Sequence, residues 1–492
     1  MLEIVFLSVY VALLACILLY CVLEGRLALN YLQLKNEPKE KMPVLTEAEL
    51  PLVTIQLPVF NEMYVMERLI DACIQMDYPK DKFEIQVLDD STDETVAISR
   101  NKVAEYSKQG FNISLVTRED RVGFKAGALQ NGLKTCTGEF IAIFDADFIP
   151  DPQFLNRTVP YFKDEEIGVV QTRWGHINRN YSLLTRIQAF FLDAHFTVEQ
   201  SGRNLSGYFI NFNGTAGIWR KTTISDAGGW KADTLTEDLD LSYRAQMKGW
   251  RFKYLEEFIS PAELPADIKA FKSQQFRWIK GGAETAMKIL PSIRKGDLPF
   301  KIKLNAFVHL LSSSVYLIIF LAVLVSVPVL FFKNTYIDVE YTRYGWPFIL
   351  STAAVAFVYY VACVWSTQHK GKAFLEYLFV LPSFLIVTLG LSFHNAVAVI
   401  RGLIGEKTPF IRTPKYNILE SNDQWADKKN YVMKKIDLVT VLEGLLCLYF
   451  LSALVFAFVK EDYSLIFLHF IAVLGFGYVF ICSISHSLAA SR

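Results

Sequence analysis

The chain has 492 residues, of which 52% are hydrophobic and 14% aromatic. Fifty Lys and Arg balance fifty Asp and Glu, so the net charge is zero, which argues against a general nucleic-acid binder. Cysteines 16, 21, 73, 136, 363, 447 and 482 make no CxxC spacing and the seven His are scattered, which argues against a zinc site or disulfide scaffold; any metal should take oxygen ligands.

Residues 4–23, IVFLSVYVALLACILLYCVL, carry no charge and are long enough to span a bilayer. The preceding MLE has no basic residue and no small-residue cleavage site follows closely, so residues 1–25 are expected to be an uncleaved anchor. Arg26, Lys35, Lys39 and Lys41 then place the next stretch in the cytoplasm by the positive-inside rule. Residues 50–295 alternate strand-like runs (LVTIQLPVF, EIQVLDD, FIAIFDAD, GVVQTRW) with helical stretches, which predicts an α/β domain with a largely parallel sheet.

Residues 305–492 hold apolar stretches near 306–332, 346–366, 374–400, 437–459 and 464–488. Charge raises a parity problem here. Lys301 and Lys303 flank the cytoplasmic domain, and loop 401–435 carries Arg401, Lys407, Arg412, Lys415, Lys428, Lys429, Lys434 and Lys435. Three crossings cannot join two cytoplasmic segments. The stretch 374–400 contains Glu376, Pro382, His394 and Asn395 and follows Lys370 and Lys372, so it is expected to be interfacial or re-entrant, leaving five spans.

Three acidic clusters stand out in the soluble domain. VLDDSTDET carries Asp89 and Asp90 after an apolar run, FIAIFDADFIPD carries Asp145 and Asp147, and TLTEDLDLSYRA carries Glu237 and Asp238. Taken alone, Asp145 and Asp147 fit either a turn after a strand or a pair sharing one cation. Thr236 and Asp238 also suit the start of a helix over 239–248. Three such clusters in one domain favour a ligand site, because α/β sheets bind ligands beyond the C-terminal ends of their strands. A donor with a diphosphate leaving group needs a hard cation, basic residues and a carboxylate base. Lys125, between the glycines of GFKAGAL, and Arg277, in SQQFRWIKGG, are the basic candidates. No Walker A, G-x-S-x-G or H-E-x-x-H pattern occurs.

The succession FNE, VLDDSTDET, GFKAGAL, FDADF, FNGTAGIWR, TEDLDL and QQFRW resembles the membrane synthases of glycosyltransferase family 2. It is most similar to plant cellulose-synthase-like A and C proteins, which make mannan, glucomannan and β-glucan backbones; LDAHFTVEQ and AGGWKADTLTEDLDL resemble the same group. The likeness is dense over residues 50–290 and loose in the membrane half. It implies a cytoplasmic α/β domain of GT-A type inserted in an α-helical transmembrane channel.

The resemblance also implies roles. Glu62, Asp89, Asp90, Lys125 and Asp145 would bind the donor nucleotide, and Asp145 with Asp147 would hold Mg²⁺ or Mn²⁺ on its diphosphate. Asp238, beside Glu237, would be the base, and Arg277 would face the pyrophosphate. Asn213, Gly214, Thr215, Gln274 and Trp278 would meet the acceptor; Asn213 stands where cellulose synthases have Cys. FIRTPK, with Phe410, Arg412, Thr413 and Lys415, is similar to the gating loop of cellulose synthases (here 405–420), with Arg412 in place of Val.

The expected function is an inverting, metal-dependent hexosyltransferase in a multi-pass membrane protein of the plasma or inner membrane, or of the Golgi in a eukaryote. It would move a sugar from GDP-mannose or UDP-glucose to a growing β-linked polysaccharide and pass the chain outward, with room for accessory secretion subunits and no nucleic-acid partner. The first alternative is a non-processive lipid glycosyltransferase of the ceramide glucosyltransferase type. The second is a catalytically silent membrane scaffold or channel, against which the intact acidic set argues.

Overall fold

A computed structural model describes residues 2–37, 41–336, 346–408, 410–419, 423, 425 and 437–489. Lys428, Lys429, Lys434 and Lys435 of the basic loop lie outside these described residues.

The sheet strands are β1 (Val53–Val59), β2 (Phe83–Asp89), β3 (Ile113–Val116), β4 (Phe140–Ile143), β5 (Ile167–His176), β6 (Gly217–Arg220) and β7 (Arg251–Ala262). They form one seven-stranded sheet in the order β3-β2-β1-β4-β6-β5-β7. The β3, β2, β1 and β4 ladders are parallel, β6 runs antiparallel between β4 and β5, and β7 pairs parallel with β5. This is the mostly parallel GT-A arrangement.

The first strands show why the pattern reads as it does. Val53, Ile55, Leu57 and Val59 are buried in one apolar core with Phe83, Ile85 and Val87. The alternate positions are also buried but polar, and they pair across the ladder. Thr54 donates to Glu84 at 2.6 Å, and Gln56 to Gln86 at 3.0 Å. A strand covered on both faces tolerates polar groups only when they satisfy one another.

Helices flank the sheet: α1 (Leu2–Leu34) before it, then α2 (Met66–Ile74), α3 (Thr95–Lys108), α4 (Phe124–Gly132), α5 (Phe154–Thr158), α6 (Leu183–Ala194), α7 (Ser201–Leu205), α8 (Lys221–Asp226) and α9 (Glu237–Gln246). The 28-residue α10 (Ile268–Lys295) begins at Asp267, whose side chain accepts from the Lys269 and Ala270 amides. Beyond it come α11 (Phe300–Leu311), α12 (Val315–Tyr336), α13 (Trp346–Tyr360), α14 (Lys370–Leu403), α15 (Leu438–Val459) and α16 (Ile466–Ala489). Among the described residues, six helical segments are long and apolar enough to cross a membrane: Leu2–Leu34, Phe300–Phe332, Trp346–Trp365, Lys370–Leu403, Leu438–Val459 and Ile466–Leu488.

Lys370–Leu403, which covers the stretch expected to be interfacial, touches the sheet domain or α10 along its length. Arg179 pairs with Glu376 at 3.2 Å, Phe190 packs on Phe384, and His394 Nε2 lies 3.0 Å from the Lys272 carbonyl. Near its end Gly402 lies so close to α10 that a Cβ would stand 2.6 Å from the Lys280 carbonyl. Between α10 and α15, Lys272 Nζ sits 2.8 Å from the Glu443 carboxylate, with both side chains buried.

Candidate active site

A cleft of about 190 Å³ opens at the C-terminal ends of β1, β2 and β4. All the candidate residues line it except Asp89 and Thr215. Those two stand behind its wall. Asp89 is buried and accepts from the Ser91 amide at 2.8 Å, which shapes the turn after β2. Thr215 is fully buried, and its hydroxyl accepts from the Asp145 amide at 2.8 Å. It therefore supports the carboxylate pair from below.

Strand β4 ends at Ile143, so Asp145 and Asp147 follow the strand and strand alternation does not orient them. The turn brings both to the cleft all the same. Lys125 Nζ bonds the Asp145 carboxylate and also donates to the Gly214 carbonyl at 2.9 Å. Lys415 bonds the Asp147 carboxylate. Among the described residues no group of three or more His, Cys, Asp or Glu side chains suits a metal. Two carboxylates and the oxygens of a bound diphosphate are a donor set suited to a hard divalent cation, which keeps few protein ligands.

The glycines around Lys125 shape its turn. Gly123 begins α4 with φ 75°, and a Cβ on Gly127 would stand 2.1 Å from the Val122 carbonyl. They let the chain turn tightly onto itself.

Asp238 lies in the first turn of α9, where the helix dipole favours a carboxylate. Its Oδ1 accepts from the Leu239 amide at 2.8 Å. Thr236, expected as a cap, makes no capping bond; its hydroxyl meets Thr285 at 3.0 Å. Burial, and then the neighbouring Glu237, raise the Asp238 pKa to about 7, with Lys125 acting against them. Glu237 is also pushed up by burial, with Lys125 opposing. Gly214 has φ 80°, and a Cβ there would stand 2.9 Å from Asp238 Oδ2, so only glycine fits against the carboxylate.

Helix α10 supplies Gln274, Arg277 and Trp278 to one wall. Trp278 is half-buried beside Trp174, with ring centroids 6.4 Å apart. Arg277 is desolvated, which lowers its pKa, while Asp145 and Glu237 oppose the shift. It points into the cleft and does not run out along the surface. Its Nη2 donates to Thr413 Oγ1 at 2.6 Å, and its guanidinium lies 4.9 Å from the Phe410 ring centroid. Arg412 pairs with Glu62 at 2.9 Å. Phe410, Arg412, Thr413 and Lys415 thus each engage a cleft residue.

Two residues at the cleft escaped the sequence reading. Arg118 grips Asp90 with two nitrogens, Nε at 3.0 Å from Oδ1. Arg121 lies 3.2 Å from the Phe60 ring centroid and also faces Phe410. The signal was the basic run TREDRVGFK directly before Lys125.

A family model described as "Glycosyltransferase like family 2" matches residues 51–281. This segment is similar to the glycosyltransferase family 2 domain. The domain is 46% identical over 246 residues to the probable glucomannan 4-beta-mannosyltransferase 7 of Oryza sativa subsp. japonica, covering 49% of this chain and 42% of that protein. It is 44% identical over 266 residues to the glucomannan 4-beta-mannosyltransferase 2 of Arabidopsis thaliana, covering 53% and 49%. The chain thus matches about half the length of these curated relatives or less. A mannosyltransferase from Pyrobaculum calidifontis, solved with GDP-Man and Mn²⁺, shares the fold with a TM-score of 0.55 at 20% identity, covering 83% of this chain and all of that one.

Proposed function

We propose that the family 2 domain transfers mannose from GDP-mannose to the end of a growing β-linked polysaccharide. The observation that carries this reading is the cleft, which gathers a buried carboxylate, a lysine-paired carboxylate couple and a half-buried tryptophan on separate walls. The mannosyltransferase relatives and the GDP-Man complex of the structural neighbour support mannose over glucose.

In this reading Asp238 takes the proton of the acceptor hydroxyl as its oxygen bonds to C1 of the donor sugar. The bond from C1 to the phosphate oxygen breaks in the same in-line displacement, C1 inverts, and GDP leaves. Lys125, Lys415 and Arg277 bring positive charge to the departing diphosphate. Asp145 and Asp147 would hold a divalent cation, whose chemistry is to neutralise the phosphate charge. Arg118 and Asp90 fix the nucleoside side of the cleft, and Trp278 offers a flat apolar face to the acceptor sugar.

The chain leaves through the membrane half. We place α14 along the membrane face of the domain, as its contacts with Arg179, Phe190 and Lys272 support, and count five crossings. Purified protein given radiolabelled GDP-mannose or UDP-glucose, with the product digested by linkage-specific glycanases, tests the reading. Mannanase-sensitive polymer from GDP-mannose is expected. A lipid bearing one sugar as sole product overturns it in favour of the ceramide-glucosyltransferase-like alternative.

A further inference from the structure

The segment LDAHFTVEQ has no part in the reaction just described. Helix α6 ends at Ala194, and a π-helical turn follows over His195–Gln200. Such turns re-aim side chains and are frequent at functional sites. Here His195 Nδ1 lies 3.0 Å from Glu199 Oε2, and its Nε2 lies 3.2 Å from Asn213 Oδ1. Both ring nitrogens thus face side-chain oxygens. Asn211 Nδ2 donates to the same Asn213 oxygen at 2.8 Å.

With its Oδ1 facing His195 and accepting from Asn211, the Asn213 carboxamide has its NH₂ turned away from His195. That nitrogen is buried, has no hydrogen-bond partner among the described residues, and belongs to a residue lining the cleft. The next residue, Gly214, abuts Asp238. An unpaired donor therefore stands on the residue next to the glycine that abuts Asp238. Buried donors without partners are costly, and a ligand oxygen removes the cost.

We propose that the His195–Glu199 pair is a positioning device for the acceptor, holding the Asn213 NH₂ toward a hydroxyl oxygen of the incoming sugar. The proposal rests on the glycosyl-transfer reading above. The charged and titratable groups around the ring are Glu199, Arg203, Glu24 from α1 and His309 from α11. Arg203 lies 3.3 Å from Glu199 and 3.4 Å from Glu24, and His309 meets the Tyr243 hydroxyl at 2.8 Å.

The test is the partition of GDP-mannose between transfer and hydrolysis to free mannose, measured on the full chain in detergent. His195→Ala and Asn213→Asp should lower the transfer-to-hydrolysis ratio about tenfold, the scale of one lost buried hydrogen bond. His195→Gln, whose amide can still donate to Asn213, should restore most of the ratio. Equal loss of transfer and hydrolysis in His195→Ala, with His195→Gln no better, overturns the proposal, as does an unchanged ratio in Asn213→Asp. If the wild type makes only a single-sugar lipid, the polysaccharide reading fails, and the same ratio on that product still decides the role of His195.

Discussion

Arg277 and Thr413 are 136 residues apart in sequence and 2.6 Å apart in space. One belongs to the wall of the cleft and the other to the loop that crosses it. In the proposed reading the bond would tie occupancy of the diphosphate side to the position of the loop. Thr413→Val removes the acceptor and keeps the shape. Loss of one hydrogen bond to a charged group, about 1.5–3 kcal/mol, should lower kcat/KM for GDP-mannose by roughly 10- to 150-fold. Steady-state kinetics at varied donor checks this, and an unchanged value would detach the loop from donor handling.

Asp238 needs its proton removed before it can act. Its pKa is raised to about 7, so the carboxylate is the minority form below that pH. The rate should therefore rise about tenfold per pH unit below about 7 and level off above it. Asp238→Asn should still bind GDP-mannose and lose roughly 10²–10⁴-fold in rate. A pH–rate profile of GDP release, with donor binding by calorimetry, measures both; near-normal turnover in the variant would move the role to Glu237.

Chelation by EDTA should abolish transfer, and Mn²⁺ or Mg²⁺ should restore it. Lysines already pair with Asp145 and Asp147 in the structure, so a cation has to compete with Lys125 and Lys415 for the two carboxylates. Asp147→Asn, which leaves one carboxylate for the cation, should demand more metal. Full activity of the wild type in metal-free buffer would sink the idea.

Trp278→Ala removes the flat face beside Trp174. Retention of the acceptor should weaken by about 1–3 kcal/mol, judged from the burial value of a large side chain. Products should shorten early in the reaction while GDP release continues. Unshortened chains would assign Trp278 to packing.

Leu419→Cys, in a background with the seven native Cys replaced, places a thiol on an exposed position of the loop. An impermeant reagent should label it only after the cytoplasmic face is opened. Labelling of intact cells would refute the five-crossing arrangement.

The parallel half of the sheet was readable because β4 is continuously apolar and β1 and, as far as Val87, β2 carry an apolar residue at every second position. Strand β3 escaped as a short edge strand, β6 has only four residues, and β7 carries the charges of RFKYLEEFISPA on a ladder beside β5. The acidic clusters were visible one at a time, since each is local. Their convergence was not, because cleft residues run from Pro58 to Lys415 and only the resemblance linked TEDLDL to QQFRW. The ion pairs of Asp145 with Lys125 and Asp147 with Lys415 were equally hidden, because spacing in a chain carries no information about contacts 20 or 268 residues apart.

The buried pair of Lys272 and Glu443 has a consequence for how this protein can change. Each charge is tolerable only beside the other, and losing one partner costs about 3–5 kcal/mol. Lys272 lies on the same helix as Gln274, Arg277 and Trp278, while Glu443 lies on α15 in the membrane half. A recombination that grafts this catalytic domain onto another bundle would strand a lysine in apolar surroundings. A successful chimera has to carry α15 along with the domain or replace both charges together.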